Sequence, residues 1–136
     1  MIKSDAQRER TIAQIAGFRR ALVKVAQEKP GKRSAAIRGS YEGMIRQLED
    51  ELHDYDRLKS GDLLLPEVDR LDQIAPFIAK IRIAKGVSQT ELASRLGVSK
   101  QVISRYEESG YQTVGLTRLQ EILDAMEIKT IVTMSA

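Results

Sequence analysis

The sequence predicts an all-α protein in which an N-terminal antiparallel helical hairpin is followed by a second helical domain, with a short β-strand at the C-terminus. Three observations lead to this fold class. Apolar residues recur at steps of three and four along most of the 136 residues. Aromatic residues make up only 4% of the chain and Trp is absent, which disfavours a β-sandwich. Ser, Pro and Gly residues stand where helices would begin and end.

Composition restricts the classes of function. Cys is absent, which excludes disulfides and thiolate metal sites and makes a reducing cytoplasm the expected location. His53 is the only histidine, so no His-pair metal site and no His-based triad is available. No apolar run approaches the roughly 18 residues of a membrane span. We therefore expect a protein that is not an enzyme, holds no metal or cofactor and has no membrane partner.

Residues 1–60 are predicted to form a coiled-coil-like hairpin. Ser4 and Gln7 fit a capping box that opens the first helix, and Pro30-Gly31 ends it. A second helix is expected from about Ser34 to Lys59, with nearly heptad spacing. The expected apolar stripes are Ile12, Ile15, Phe18, Leu22 and Val25, then Ile37, Tyr41, Met44, Leu48, Leu52 (or Glu51), Tyr55 and Leu58. One hairpin has too little core to stand alone, so a role in dimerisation or partner binding is expected.

Charge is distributed unevenly along this hairpin. Seven cations oppose a single acid between positions 19 and 38, and five acids then crowd positions 49–56. One interpretation is that the basic cluster contacts the DNA backbone. The other, which the general behaviour of charged helices favours, is a solvated hairpin whose basic turn pairs with acidic neighbours in a dimer.

Residues 61–75 are predicted to be a connector. Leu63, Leu64 and Leu65 are too apolar for a free linker, so we expect them to pack on a flanking unit.

Residues 76–129 carry the pattern that indicates function. Pro76 suits a first helical turn, and Ser88 with Glu91 forms a second capping box. Two short helices joined by a turn at Gly97, with Ala93 where their backbones must approach, indicate a helix-turn-helix. The last helix is expected at about Leu116–Met126.

The spacing Gln89-x-x-Leu92-Ala93-x-x-Leu96-Gly97-Val98-Ser99-x-x-x-Ile103-Ser104-x-x-Glu107 closely resembles the Cro/repressor-type (XRE family) DNA-binding domain. The resemblance implies a lambda-repressor-like fold over 76–129 and a recognition helix at 99–109 that lies in the major groove of double-stranded DNA. It also implies a structural ion pair between Arg82 and Glu107. The candidate DNA-binding residues are Gln89, Thr90, Ser99, Lys100, Gln101, Ser104, Arg105, Tyr111, Gln112 and Thr113.

The sequence departs from the family after Glu107. The segment 108–115 holds an extra acid, Glu108, and no Lys or Arg to clamp the DNA backbone. Segment 76–129 has eight basic and six acidic residues, a net charge of only +2. Weak binding by a monomer is the expected consequence, and a homodimer that reads two half-sites is the expected remedy.

Residues 130–136 belong to a β-rich tail, which we expect to form a strand that pairs with a second chain or with a partner's sheet edge.

The leading hypothesis is a dimeric, sequence-specific transcriptional regulator that acts on operator DNA. The alternative is an antitoxin of a toxin–antitoxin module, in which the N-terminal helices bind a protein toxin and the helix-turn-helix represses the shared operon. A third hypothesis is a protein–protein adaptor that has kept this fold without DNA affinity, since fold alone does not settle function.

Overall fold

The structure, a computed structural model, describes residues 1–136 and consists of six α-helices and one 3₁₀ helix. It divides into two compact units, residues 1–57 and 58–136. The helices are α1 (Asp5–Ala26), α2 (Lys32–Lys59), the 3₁₀ helix (Leu71–Phe77), α3 (Ile78–Ala84), α4 (Gln89–Leu96), α5 (Lys100–Glu108) and α6 (Leu116–Ala125).

The hairpin helices begin at side-chain caps. The Ser4 hydroxyl accepts the Gln7 backbone N–H at 3.2 Å, and the Gln7 side-chain oxygen accepts the Lys3 backbone N–H at 2.7 Å. Reciprocal bonds of this kind satisfy amides that a helix leaves free at its start. At the second helix, the Ser34 hydroxyl accepts the Gly31 N–H at 3.1 Å and donates to the Gly31 carbonyl at 3.0 Å. These bonds hold the turn and let α2 begin two residues before the predicted start.

Contacts between α1 and α2 show that the two helices run antiparallel. The Tyr55 hydroxyl donates to Asp5 at 2.8 Å near one end, and the rings of Phe18 and Tyr41 lie 5.6 Å apart farther along. As the position in α1 rises, its partner's position in α2 falls, which is the signature of an antiparallel pair. The buried apolar side chains of the hairpin are Ile2, Ile15, Val25, Ile45 and Tyr55.

The predicted apolar stripe of α1 is wrong at its first member. Ile12 is 39% exposed, and the preceding residue, Thr11, is buried in its place. Thr11 tolerates burial because its hydroxyl donates to the Gln7 carbonyl one turn earlier, at 2.9 Å.

The connector is also more exposed than predicted. Leu63 is half-buried, but Leu64 is 88% exposed and Leu65 is 56% exposed. Residues 62–68 form no regular element, so no neighbouring turn or strand holds these side chains against a core. The expectation that all three leucines pack is therefore wrong.

The second unit is built around one apolar core. Ile78, Leu92, Ile103 and Ile122 are fully buried, and they come from α3, α4, α5 and α6 respectively. Each of these four helices therefore has its orientation set by a side chain in the shared core.

Two basic side chains of this unit are used internally, at the C-terminus of α6. Lys85 donates from Nζ to the Met126 carbonyl at 2.8 Å, and Arg95 donates from Nη1 to the Ala125 carbonyl at 2.8 Å. Cations at this end of a helix satisfy free carbonyls and complement the helix dipole. Lys85 and Arg95 thus stabilise the fold and are not part of a free basic surface.

The predicted C-terminal strand is wrong. Residues 127–136 contain no regular structure, and Ile131 and Met134 are 87% and 91% exposed. A strand forms only where a second backbone segment pairs with it through hydrogen bonds. All regular elements of this chain are helices, so the tail has no strand to pair with. The all-α part of the prediction is confirmed.

Candidate nucleic-acid interface

Helices α4 and α5 and the turn between them form a helix-turn-helix. Gly97 ends α4 with φ of 68°, a left-handed conformation that glycine adopts without strain. The Val98 N–H then donates back to the Ala93 carbonyl at 3.0 Å, which closes the turn. Ala93 itself is 3% exposed, because its small side chain lies where α4 and α5 pack closely.

The buried residues of α5 show which face of the helix points to solvent. Ile103 and Glu107 are buried, four residues apart on one side of the helix. The 100° step between successive residues places Gln101, Arg105 and Glu108 on the opposite side, where all three are exposed. The solvent-facing surface of α5 therefore carries an amide, a guanidinium and, at its C-terminal end, a carboxylate.

The start of α5 differs from the start of α4. In α4, the Ser88 hydroxyl accepts the Glu91 N–H at 3.0 Å, and Glu91 places an acid in the first turn. In α5, the cap residue Ser99 makes no side-chain capping bond, Lys100 opens the helix, and the first turn has no acid.

This difference has an electrostatic consequence. Acids stabilise a helix N-terminus, whereas a cation there is unfavourable because the helix dipole is positive at that end. Helix α5 thus begins with uncapped amides, an exposed lysine and a hydroxyl that accepts no cap bond. Together these groups suit an anionic ligand such as a phosphate.

Behind this surface, a buried polar network links α3, α4 and α5. Arg82 donates to both carboxylate oxygens of Glu107, at 2.8 and 2.7 Å, and also to the Val87 carbonyl at 2.8 Å. Gln89 Nε2 donates to Glu107 at 2.7 Å, and the Tyr111 hydroxyl does so at 3.0 Å. The Arg82 and Glu107 side chains are 2% and 0% exposed, and no buried side-chain nitrogen or oxygen lacks a partner.

This network contains two of the predicted DNA-contacting residues. Gln89 and Tyr111 are 8% and 2% exposed, and both use a side-chain donor on Glu107. Burial, followed by the neighbouring Glu107 carboxylate, raises the pKa of the Tyr111 hydroxyl well above its ordinary value. Neither donor faces solvent, so these two residues act in the structure as supports for Glu107.

The other eight candidate residues lie at or near the surface. Ser104 is half-buried, and the exposed members are Thr90, Ser99, Lys100, Gln101, Arg105, Gln112 and Thr113. Gln112 and Thr113 belong to the turn that follows α5, where the Thr113 hydroxyl lies 3.2 Å from that of Ser109.

Sequence reasoning identified Arg82 and Glu107 as partners, but it did not find the two further donors to Glu107. For Tyr111 the sequence did contain a signal, because this residue follows Glu107 by only four positions and is therefore near it in space. Gln89 is separated from Glu107 by 18 residues, so its contact depends on how α4 packs on α5. It is the tertiary arrangement that assigns this amide to the network.

The geometry defines a helix-turn-helix domain, and comparison with known families agrees. Residues 78–131 match the family model described as "Helix-turn-helix", so this segment is a domain of the Cro/C1 type, in the XRE family. The resemblance predicted from the residues of segment 76–129 is confirmed. A search of the curated proteins and a search of the solved structures each found no match. None of the helices has both the length and the apolarity needed to cross a bilayer.

Proposed function

We propose that this protein is a sequence-specific transcriptional regulator that binds operator DNA as a homodimer, with α5 in the major groove. The observation that carries the proposal is the positive, uncapped start of α5 at Ser99 and Lys100, in a domain whose family binds DNA. The outward face of the same helix presents Gln101 and Arg105, which have the chemistry to read bases.

Each exposed side chain has a role in this proposal. Lys100 donates to guanine O6 and N7, and Gln101 pairs with adenine N6 and N7. Arg105 reaches a base edge or a phosphate. Ser99, with the free amides at the start of α5, binds a phosphate and sets the register of the helix on the duplex.

The remaining contacts of the proposed interface are to the backbone. Thr90, Gln112 and Thr113 donate hydrogen bonds to phosphates, and Ser104 lies beside the base-reading residues. Gln89 and Tyr111 are left out of this interface, because the structure directs their donors to Glu107.

Two features support a homodimer. The unit 58–136 contains ten basic and ten acidic residues, so one such unit has no net charge to add to its contacts with DNA, and a second copy doubles the number of contacts. Leu71 and Leu116 line one groove of this unit and are 52% and 65% exposed, an apolar surface of the kind that subunit contacts cover.

The test is selection of bound DNA from a random pool, with the parent protein and the Gln101→Ala variant. We expect the variant to lose preference at one base pair of each half-site and to bind the parent's site about 5- to 150-fold more weakly, the equivalent of 1–3 kcal/mol. The matched control is Gln120→Ala, which removes an exposed amide from α6. If Gln101→Ala selects the same sequence as the parent with the same affinity, α5 is not the recognition helix.

A second candidate function is the antitoxin role, in which the hairpin binds a protein toxin. Its support is that the hairpin is a compact unit of its own and leaves Ile12 and Val23 39% and 61% exposed. These residues are eleven apart, three turns of one helix, so they share a face of α1. A full-length Ile12→Ser/Val23→Ser variant that still neutralises the product of an adjacent toxic reading frame would refute this assignment.

A further inference from the structure

We propose that the end of the hairpin at the turn between α1 and α2 is a second DNA-binding surface, which binds the phosphate backbone of double-stranded DNA. The surface, called here the basic end, consists of Arg20, Lys24, Lys29, Lys32, Arg33 and Arg38. This inference rests on the proposed function, since it assumes that the chain binds DNA. It adds a source of affinity that α5 does not provide.

The six cations are clustered and free of internal partners. All are exposed, and no ion pair or side-chain hydrogen bond in the structure joins any of them to a carboxylate. At a rise of 1.5 Å per residue, Arg20 lies about 9 Å along α1 from its end at Ala26, and Arg38 lies about 9 Å along α2 from its start at Lys32. The basic end is therefore concentrated within two helical turns of the hairpin loop.

The charge of the whole chain is concentrated at this place. Residues 19–38 hold seven cations and one acid, a net charge of +6. The rest of the hairpin unit, 1–18 and 39–57, holds five cations and eight acids, a net of −3, and the unit 58–136 has a net of zero. The overall charge of +3 thus arises from +6 over residues 19–38, offset elsewhere in the hairpin, while the unit 58–136 as a whole contributes none.

The acidic stretch 49–56 does not compensate the basic end. Within one hairpin, Glu49 pairs with Arg19 at the margin of the basic end. Arg33 and Asp50, in contrast, are 17 residues apart on α2, or about 25 Å, which is beyond the range of unscreened attraction at physiological salt. Pairing with a second hairpin is also insufficient. Three of the five acids already take part in ion pairs, with Arg8, Arg19 and the Met1 amino group, which leaves Asp50 and Asp54 against six cations.

At the start of α2, the helix dipole adds to the charge of two of these cations. Lys32 and Arg33 occupy the first turn of α2, where there is no acid. The helix dipole makes cations unfavourable at this position, and a bound phosphate would reverse that effect. The first turn of α5 has the same character, with Lys100 and no acid.

Double-stranded DNA is the occupant that these observations favour. The surface offers positive charge without an exposed aromatic side chain for stacking on single-stranded bases, since Phe18 and Tyr41 are both half-buried against each other. The same chain contains a domain of a DNA-binding family, which brings the duplex to the molecule. Contacts made by the basic end carry no sequence information and add affinity through counterion release.

The experiment compares two double variants of the full chain, Lys32→Gln/Arg33→Gln and the matched control Arg10→Gln/Arg46→Gln. The control removes two exposed, unpaired cations of the same hairpin, and Arg46 lies about 20 Å along α2 from Arg33. Affinity is measured from 0.05 to 0.3 M salt on a 40-base-pair duplex containing the selected site and on a random duplex of equal length. A 40-nucleotide RNA and vesicles of phosphatidylcholine with 30% phosphatidylserine are measured in parallel.

We expect the Lys32→Gln/Arg33→Gln variant to bind both duplexes about 10- to 30-fold more weakly at 0.15 M salt. The slope of log K against log salt should fall by about 2, because each phosphate contact contributes about 0.9. The selected sequence should not change, and the control should match the parent. Equal slopes for the two double variants would overturn the proposal, as would a loss confined to the RNA or to the vesicles.

These outcomes separate the inference from the proposed function. Failure of α5 as the recognition helix appears as an unchanged sequence preference in Gln101→Ala. Failure of the basic end appears as an unchanged salt slope in Lys32→Gln/Arg33→Gln, while Gln101→Ala still alters the selected sequence.

Discussion

Replacing Glu107 by Gln is expected to destabilise the helix-turn-helix domain severely. In the structure, one carboxylate oxygen accepts Arg82 Nη2 and Gln89 Nε2, and the other accepts Arg82 Nε and the Tyr111 hydroxyl. A glutamine amide has only one acceptor oxygen. Whichever way it is turned, its NH₂ group faces Arg82 and one further donor, so two hydrogen bonds are lost.

The expected cost follows from burial. The substitution removes the counter-charge of Arg82, whose side chain is 2% exposed, and leaves that cation buried without a carboxylate. Breaking one side of a buried ion pair costs about 3–5 kcal/mol. Domains of this size are stable by about 5–15 kcal/mol, so the change removes a large part of the free energy of unfolding.

Native-state hydrogen exchange of the α4 and α5 amides measures this cost in the domain alone, without a contribution from the hairpin. The matched control is Glu121→Gln, which removes an exposed carboxylate bonded to Arg118 at 2.8 Å and should cost no more than about 0.5 kcal/mol. Glu107→Gln should lower the free energy of exchange by several kcal/mol more than the control. If the two variants exchange within about 1 kcal/mol of each other, the buried network does not stabilise the domain as argued.

Three further predictions concern the same domain. Ser88→Ala should lower the free energy of unfolding in urea by about 1 kcal/mol, because it removes a capping bond. Ser99→Ala should lower it by less and should weaken DNA binding more. A larger loss of stability in Ser99→Ala, or a larger loss of DNA affinity in Ser88→Ala, would contradict the assigned roles. The raised pKa of Tyr111 means that its contribution to stability is complete below the ordinary tyrosine pKa of about 10 and is lost as pH rises above it. Between pH 10 and pH 11 this loss should be about 1 kcal/mol, and Tyr111→Phe should abolish it; an alkaline unfolding curve unchanged by that substitution would count against the buried hydroxyl. Glu108→Gln should raise affinity for DNA about two- to fivefold in a salt-dependent manner, since it removes an exposed acid from the outward face of α5. An unchanged or lower affinity would show that this face does not approach phosphates.

The sequence by itself determined α4, α5 and α6 of the second unit, because the signals that begin and end a helix are local. It did not predict the 3₁₀ helix Leu71–Phe77, which lies mostly in the predicted connector and contains Pro76, so that α3 begins at Ile78. The cap at Ser88 and the left-handed glycine at Gly97 both act within one turn of the chain, and α4 has the predicted bounds. The motif that spans Gln89 to Glu107 was sufficient to identify the family, which the match over 78–131 confirms.

The tertiary structure decided what each polar side chain does. Gln89 has the same amide whether it binds a phosphate or Glu107, and packing of α4 on α5 brings it within 2.7 Å of the carboxylate. Lys85 and Arg95 count as basic residues in the sequence, but they bind the carbonyls at the end of α6, 30 or more residues away. The predicted strand at 130–136 has β-forming residues but no backbone to pair with, and pairing is a property of the fold rather than of the segment. Local rules specify where helices lie in the chain, whereas the partner of a side chain or strand depends on residues that only folding brings near.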